Sequence, residues 1–305
     1  MIPPSGQQYE LHCDDQHVVV TEVGGGLRHY SIGQRAVLDG YGRDEMATGA
    51  RGQTLIPWPN RIADGRYRFA DAQHTLALTE PEAHNAIHGL VRWANWELVE
   101  HGERQLRLHH RLHAQTGWPH VLDCELDYRL EPDGLTVRTT ATNAGALPCP
   151  YAAGAHPYLA AGAAHIDAAQ LRVPGRRYYP TDERGIPAGR EPVDGTRYDL
   201  REPVELGDRA IDVAYTDLVR DPDGLARVSL TAPDGGSVAL WVSEAYPYLE
   251  IFTGDTLPEP GRRRRGLGVE PMTAAPNAFQ TGDGLVTLQP GQAHTAEWGI
   301  EPGRS

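Results

Sequence analysis

Lysine is absent from this chain: all 28 of its basic residues are arginine. That excludes Schiff-base chemistry on lysine, covalent attachment of pyridoxal phosphate and the lysine of a phosphate-binding loop. Cysteine is scarce. Cys13, Cys124 and Cys149 are odd in number and far apart, so neither a disulfide framework nor a Cys-x-x-Cys metal site is expected. A reducing setting follows, and the protein is expected to be cytoplasmic. No apolar run approaches the roughly 18 residues of a membrane-spanning helix. The start, Met1-Ile2-Pro3-Pro4-Ser5-Gly6, lacks the basic and apolar regions of a signal peptide. Positive charge is in deficit: the formal net charge is −13, which argues against a nucleic-acid partner. Helical stripes are missing too. No segment keeps apolar residues at i, i+3, i+4 and i+7 over three turns without glycine or proline. No composition break divides the 305 residues, so residues 1–305 are read as one domain.

What is abundant is turn chemistry. The 34 glycines and 24 prolines recur between short apolar runs, the pattern of an all-β chain. Leu122, Cys124, Leu126, Tyr128 and Leu130 alternate with polar residues, Glu131-Pro132-Asp133-Gly134 turns, and Leu135, Val137 and Thr139 alternate again. Val228 and Leu230, Pro233-Asp234-Gly235-Gly236, then Val238, Leu240 and Val242 repeat the scheme. Both predict hairpins, and Leu106, Leu108, His110 and Leu112 predict a further strand. The expected fold is a large sandwich of antiparallel sheets with few short helices.

Three rigid segments carry candidate chemistry. In Val269-Glu270-Pro271-Met272 a lone carboxylate precedes a proline, which restrains its backbone. A held carboxylate among apolar neighbours suits a general base. Pro57-Trp58-Pro59-Asn60-Arg61 and Ala155-His156-Pro157-Tyr158 again set a reactive side chain beside proline. Each is equally readable as a tight turn with incidental polar residues. Asp212, in Ala210-Ile211-Asp212-Val213-Ala214-Tyr215, is an acid in an apolar setting that reads either as a ligand contact or as a strand-end residue bonding its own backbone.

The fourteen histidines raise a metal question. His84 and His88 have the i, i+4 spacing of a helical zinc pair, but no acid shares that register and Gly89 follows. His109, His110 and His113 fall in a strand-like run, where solvated side chains are the simpler reading. No metal or cofactor is expected. A serine hydrolase lacks its Gly-x-Ser-x-Gly elbow. Arg262-Arg263-Arg264-Arg265, five residues before Glu270, reads as a solvated loop or as a grip on an anionic group.

Pro59-Asn60-Arg61-Ile62, Asn85-Ala86-Ile87-His88-Gly89, Gly154-Ala155-His156-Pro157-Tyr158, Val269-Glu270-Pro271-Met272 and Pro276-Asn277-Ala278-Phe279 follow one another in an order that resembles the aldose 1-epimerases, the galactose mutarotase family. The resemblance implies a galactose mutarotase-like supersandwich with an open sugar cleft. It implies interconversion of the α and β anomers of a free aldose without metal or cofactor. By this likeness Glu270 matches the catalytic base and His156 the catalytic acid, while Arg61, His88 and Asp212 match sugar-binding positions. Asn60 borders the first motif, and Trp58 and Tyr158 read either as platforms for a sugar's C–H face or as core packing. Relatives usually carry asparagine before the acid and histidine after the binding aspartate. Here Ala155 and Val213 stand in those places, which marks a divergent, bacterial-type branch. The expected partner is a monosaccharide, and the expected state a monomer or homodimer. The alternatives are an epimerase for an anionic, phosphorylated or sulfonated sugar, a non-catalytic carbohydrate-binding protein, and a glycoside hydrolase, which generally needs two carboxylates.

Overall fold

A computed structural model describes residues 2–303. Among these, helix is confined to one turn of α-helix at Ala278–Thr281 and a 3-10 turn at Pro260–Arg262. Every strand pairing is antiparallel, as short strands joined by tight turns require. A nine-stranded sheet runs from Glu97–His101 through Gln105–Leu112, Leu122–Glu131, Gly134–Asn143, Ala293–Pro302, Ser237–Val242, Ala226–Thr231 and Gln170–Arg172 to Val204–Glu205. An eight-stranded sheet is centred on Asp212–Leu218, Tyr248–Phe252 and Leu267–Met272. A four-stranded sheet begins at Gln8–Cys13. The two large sheets form the expected sandwich.

Both expected hairpins are present, for the reason their sequences suggest. Leu126 pairs with Thr139 and Leu130 with Leu135 across the Pro132-Asp133 turn; Val228 pairs with Leu240 across the second. Period-two alternation sends one set of side chains inward, so Leu122, Cys124, Leu126, Tyr128 and Leu130 are buried while Glu125 and Arg129 are exposed. One continuous hydrophobic cluster joins these to Val213, Leu249, Ile251 and Val269 of the other large sheet.

The His84/His88 spacing has no helix beneath it. Both residues have left-handed backbone, with φ of 56° and 62°. His84 points outward to Asp64 at 2.8 Å, whereas His88 is buried. His109 faces Asp123 at 3.2 Å, and His110 bonds the Asn95 carbonyl at 3.0 Å.

Leu126 lies in mid-sheet and is 1% exposed. Leu126→Ala is expected to lower unfolding stability by about 2–5 kcal/mol, the usual cost of lost burial plus a cavity. Urea denaturation of the purified variant checks this.

Candidate active site

The Leu267–Met272 strand is hydrogen-bonded on both sides. On one side it pairs with Tyr248–Phe252, setting Glu250 directly across from Glu270. On the other it pairs with Gly154 through Met272 and with Tyr158 through Gly268. Continuing that register sets His156 across from Glu270. The result is a row of three side chains, His156, Glu270 and Glu250, each at most 4% exposed. His156 Nε2 lies 3.1 Å from Glu270 Oε1. Glu270 Oε2 and His156 Nδ1 are buried without a partner.

Burial governs the charge states here. Removal from water, then the Arg51 guanidinium, push the His156 imidazole down to about 3. Burial, then Asp212, hold Glu270 well above the ordinary carboxylate range. Glu250 is likewise raised by burial, then by Asp212 and Glu270. The His156–Glu270 pair therefore carries one proton across a wide pH span. Glu250 bonds the Asp212 carboxyl and accepts from Asn60 Nδ2 at 3.1 Å. Asp212 is open to the cavity yet set within its concave wall, and this desolvation raises its carboxyl.

Asn60 and His88 clasp one another. Both adopt left-handed backbone. The His88 amide donates to the Asn60 carbonyl at 2.9 Å, and the Asn60 amide donates to His88 Nδ1 at 3.2 Å. With Nδ1 accepting, the ring proton sits on Nε2. Burial and the neighbouring His156 hold His88 neutral, well below the usual imidazole range. Its ring packs edge-on against His156 at 5.1 Å. Arg61 enters from the same turn, its fork held by Glu80 at 2.8 and 2.9 Å. The Asn277 amide donates to the Arg61 carbonyl, and Asn277 Oδ1 accepts from Ala63, so the Pro276–Phe279 motif anchors that strand.

A cavity of about 290 Å³ opens onto this row, at the small end of ligand pockets. Asn60, Arg61, His88, His156, Tyr158, Asp212 and Glu270 line it. Two expectations change. Trp58 does not reach the cavity: it is 2% exposed and packs edge-on against Phe279 at 5.7 Å within the core. Tyr158 lines the cavity, but its ring is stacked on His156 at 5.0 Å and lies under the Arg51 guanidinium at 4.3 Å, with its hydroxyl donating to the Gly49 carbonyl. It is a clamp for His156 rather than a free platform. The arginine run stays away from the cavity. Arg262 pairs with Glu45, Arg264 with Asp167 and Asp255, and Arg265 with Asp39, while Arg263 donates to the Leu257 carbonyl.

Sequence reasoning missed Glu250, Glu80, Arg92 and Phe252. Glu250 carried a usable signal, a lone acid in the apolar run Tyr248-Leu249-Glu250-Ile251-Phe252. The ligand atoms of His88, His156 and Glu270 all lie within 4.8 Å, so this trio could close on a cation. Glu10, His12 and His17 make a second such group on the four-stranded sheet.

A family model described as aldose 1-epimerase matches residues 7–301. The chain is 30% identical over 292 residues to the uncharacterised protein YihR of Escherichia coli K12, covering 95% of this chain and 91% of that one. It is 30% identical to human galactose mutarotase over 179 residues, 56% of this chain and 50% of the other. Among solved structures, an aldose epimerase homologue from C. elegans superposes with a TM-score of 0.87 at 18% identity, covering 98% and 99%. A galactose 1-epimerase from Lactobacillus acidophilus does so with 0.79 at 18%, covering 96% and 93%.

Two predictions follow from the geometry. Gly89 has φ of +71°, and an added Cβ would lie 2.2 Å from the Ile56 carbonyl oxygen. Gly89→Ala should displace His88 and weaken ligand binding at the cavity, read by calorimetry beside a thermal melt; unchanged affinity in a folded variant would separate His88 from the site. The second concerns pH. A depressed imidazole takes up a proton in the unfolded chain below about pH 6.5 but not in the folded one. Its contribution therefore falls as pH drops from about 6.5 toward 3. His156→Asn should flatten that part of the stability curve, measured by denaturant titration between pH 4 and 7.

Proposed function

The chain belongs to the aldose 1-epimerase family, and we propose that it is a working mutarotase that interconverts the anomers of a free aldose through Glu270 and His156. The supporting observation is the buried His156–Glu270 pair, 3.1 Å apart at the cavity wall with one carboxylate oxygen unpartnered. The pair holds one proton in either of two forms. With a sugar bound, the productive form is carboxylate and imidazolium. Glu270 then takes the proton of the C1 hydroxyl while His156 gives its proton to the ring oxygen. The C1–O5 bond breaks and a C1 carbonyl forms. Rotation about C1–C2 and reversal of both transfers close the ring on the other face, with the pair's single proton returned. No covalent intermediate is needed, so the absence of a nucleophile elbow or a lysine is no obstacle. Each proton transfer contributes roughly 10²–10⁴-fold.

In this reading the remaining groups hold the sugar. His88 offers its Nε2 proton, Arg61 a guanidinium fixed by Glu80, and Asp212 and Asn60 polar atoms at the cavity wall. Glu250 keeps Asp212 and Asn60 in place. Residues 1–305 act as one domain, as a monomer or homodimer in the cytoplasm, on a monosaccharide. The three buried, unpaired cysteines suit that compartment, and no helix among the described residues is long and apolar enough to cross a membrane.

Glu270→Gln tests the proposal twice. It should lower kcat by roughly 10²-fold or more while sugar binding survives; retention of more than about a tenth of the rate would remove Glu270 as base. The amide also mimics the protonated acid. Because the folded carboxyl is raised, the wild-type protein loses stability as pH rises above about 4.3, the unfolded value. The variant should therefore be the more stable protein at pH 7, with the gap closing toward pH 4. Chelation supplies a further check. EDTA should leave anomerisation by the wild-type enzyme unchanged, and loss of activity restored by zinc would turn the His88, His156 and Glu270 trio into a metal centre.

A further inference from the structure

Three arginines line or back the cavity, and two are already committed. Arg51 is paired with Asp39 at 3.1 Å and Arg61 with Glu80 at 2.8 Å. Arg92 differs. It lines the cavity and is half-buried. Among the described residues its guanidinium makes no hydrogen bond and no ion pair; its one neighbour of note is the ring of Trp93 at 6.0 Å, at the outer limit of a cation–π contact. Its backbone is fixed. The Arg92 carbonyl accepts from Gln53 Nε2 at 2.7 Å, and Gln53 in turn accepts the His156 amide at 3.1 Å. A cation held this way pays for desolvation without a counter-charge, and burial lowers its pKa with no acid acting against that.

The cavity carries both signs of charge. Asp212, Glu250 and Glu270 act on one another, and Arg61 acts on all three. Arg92 and Arg61 both act on His88 and His156, but Arg61 is already paired with Glu80. A neutral sugar can accept hydrogen bonds from the guanidinium but brings it no counter-charge. An anionic substituent on the sugar would receive its planar fork together with a counter-charge at this half-buried position. The Arg262–Arg265 run cannot do this, since carboxylates and a carbonyl of the chain itself occupy it.

We propose that Arg92 is the anchor for a carboxylate, sulfonate or phosphate group on the substrate, so that the preferred aldose is an acidic sugar. This rests on the mutarotase reading and narrows its substrate class. It also has a catalytic consequence. Arg92 disfavours protonation of His156, and a bound anion would cancel that field as the imidazolium is needed.

The test is anomerisation, followed by NMR exchange, of glucose, glucuronate, glucose 6-phosphate and 6-deoxy-6-sulfoglucose at equal ionic strength. At least one anion should exceed glucose in kcat/KM by about tenfold or more, and added salt should erode that lead. Arg92→Met should cut the rate on that anion by about 10- to 100-fold, the worth of a charge-assisted contact, and collapse the anion-to-glucose ratio toward one. Arg92→Lys, which keeps charge but not the fork, should retain part of the ratio. Glucose turned over as well as every anion, or equal losses on all four sugars in Arg92→Met, would overturn the proposal. If no sugar is turned over, the mutarotase reading fails, and calorimetry with the same four sugars decides for Arg92. Anion binding lost in Arg92→Met sustains the anchor, and binding indifferent to charge or to the variant refutes it.

Discussion

The site depends on the register of one strand. Leu267–Met272 is paired on both edges, and that double pairing sets His156, Glu270 and Glu250 in a single row across the sheet. A shift of one residue would send Glu270 to the opposite face and bring Val269 or Pro271 into its place. Register is strongly specified here because Val269 and Leu267 belong to the core on that opposite face. Hydrophobic patterning thus places the His156–Glu270 pair more firmly than loops could. The same burial that fixes the row removes its water. Close carboxylates in a poor dielectric cannot all ionise, so the row stores protons on carboxyls and leaves its imidazole neutral.

Support for the row comes from outside it. Arg51 lies over Tyr158, and Tyr158 stacks on His156. Arg51 is held in turn by Asp39, which also faces Arg262 and Arg265. The arginine run is therefore a clasp between surface loops and the layer behind His156. Its effect on the chemistry is indirect, through the position and field of Arg51. Guanidinium forks suit such shared contacts better than ammonium groups, so the all-arginine composition is compatible with this construction without being explained by it.

Much of this was legible in the sequence, and the limits are physical. The hairpins were readable because alternation and Pro-Asp-Gly turns are local signals. Glu270 and His156 stood out because proline restrains their neighbours. Glu250 did not, since its meaning comes from a cross-strand partner twenty residues away. Arg92 was invisible for the opposite reason: what marks it is a missing partner, which only the packed chain reveals. Trp58 looked like a sugar platform because it borders Asn60 and Arg61. The left-handed turn at Asn60 separates them, sending Trp58 to Phe279 in the core and Arg61 to the cavity. The His84/His88 spacing carried no helix and was set aside for want of an acid in register; in the fold the two left-handed residues face different directions.

Two kinds of charged group meet in the cavity. Arginines are always charged, and their contacts cost the site no proton. Asp212, Glu250, Glu270, His88 and His156 are all displaced from their ordinary charge states by burial. Burial places the shared proton on Glu270 at rest and leaves His156 neutral, so in the proposed mechanism a bound sugar must draw that proton to His156 before the ring opens. The Asn60–His88 clasp lies beside this pair: its reciprocal hydrogen bonds fix one imidazole as a neutral donor beside another whose Nδ1 is buried without a partner.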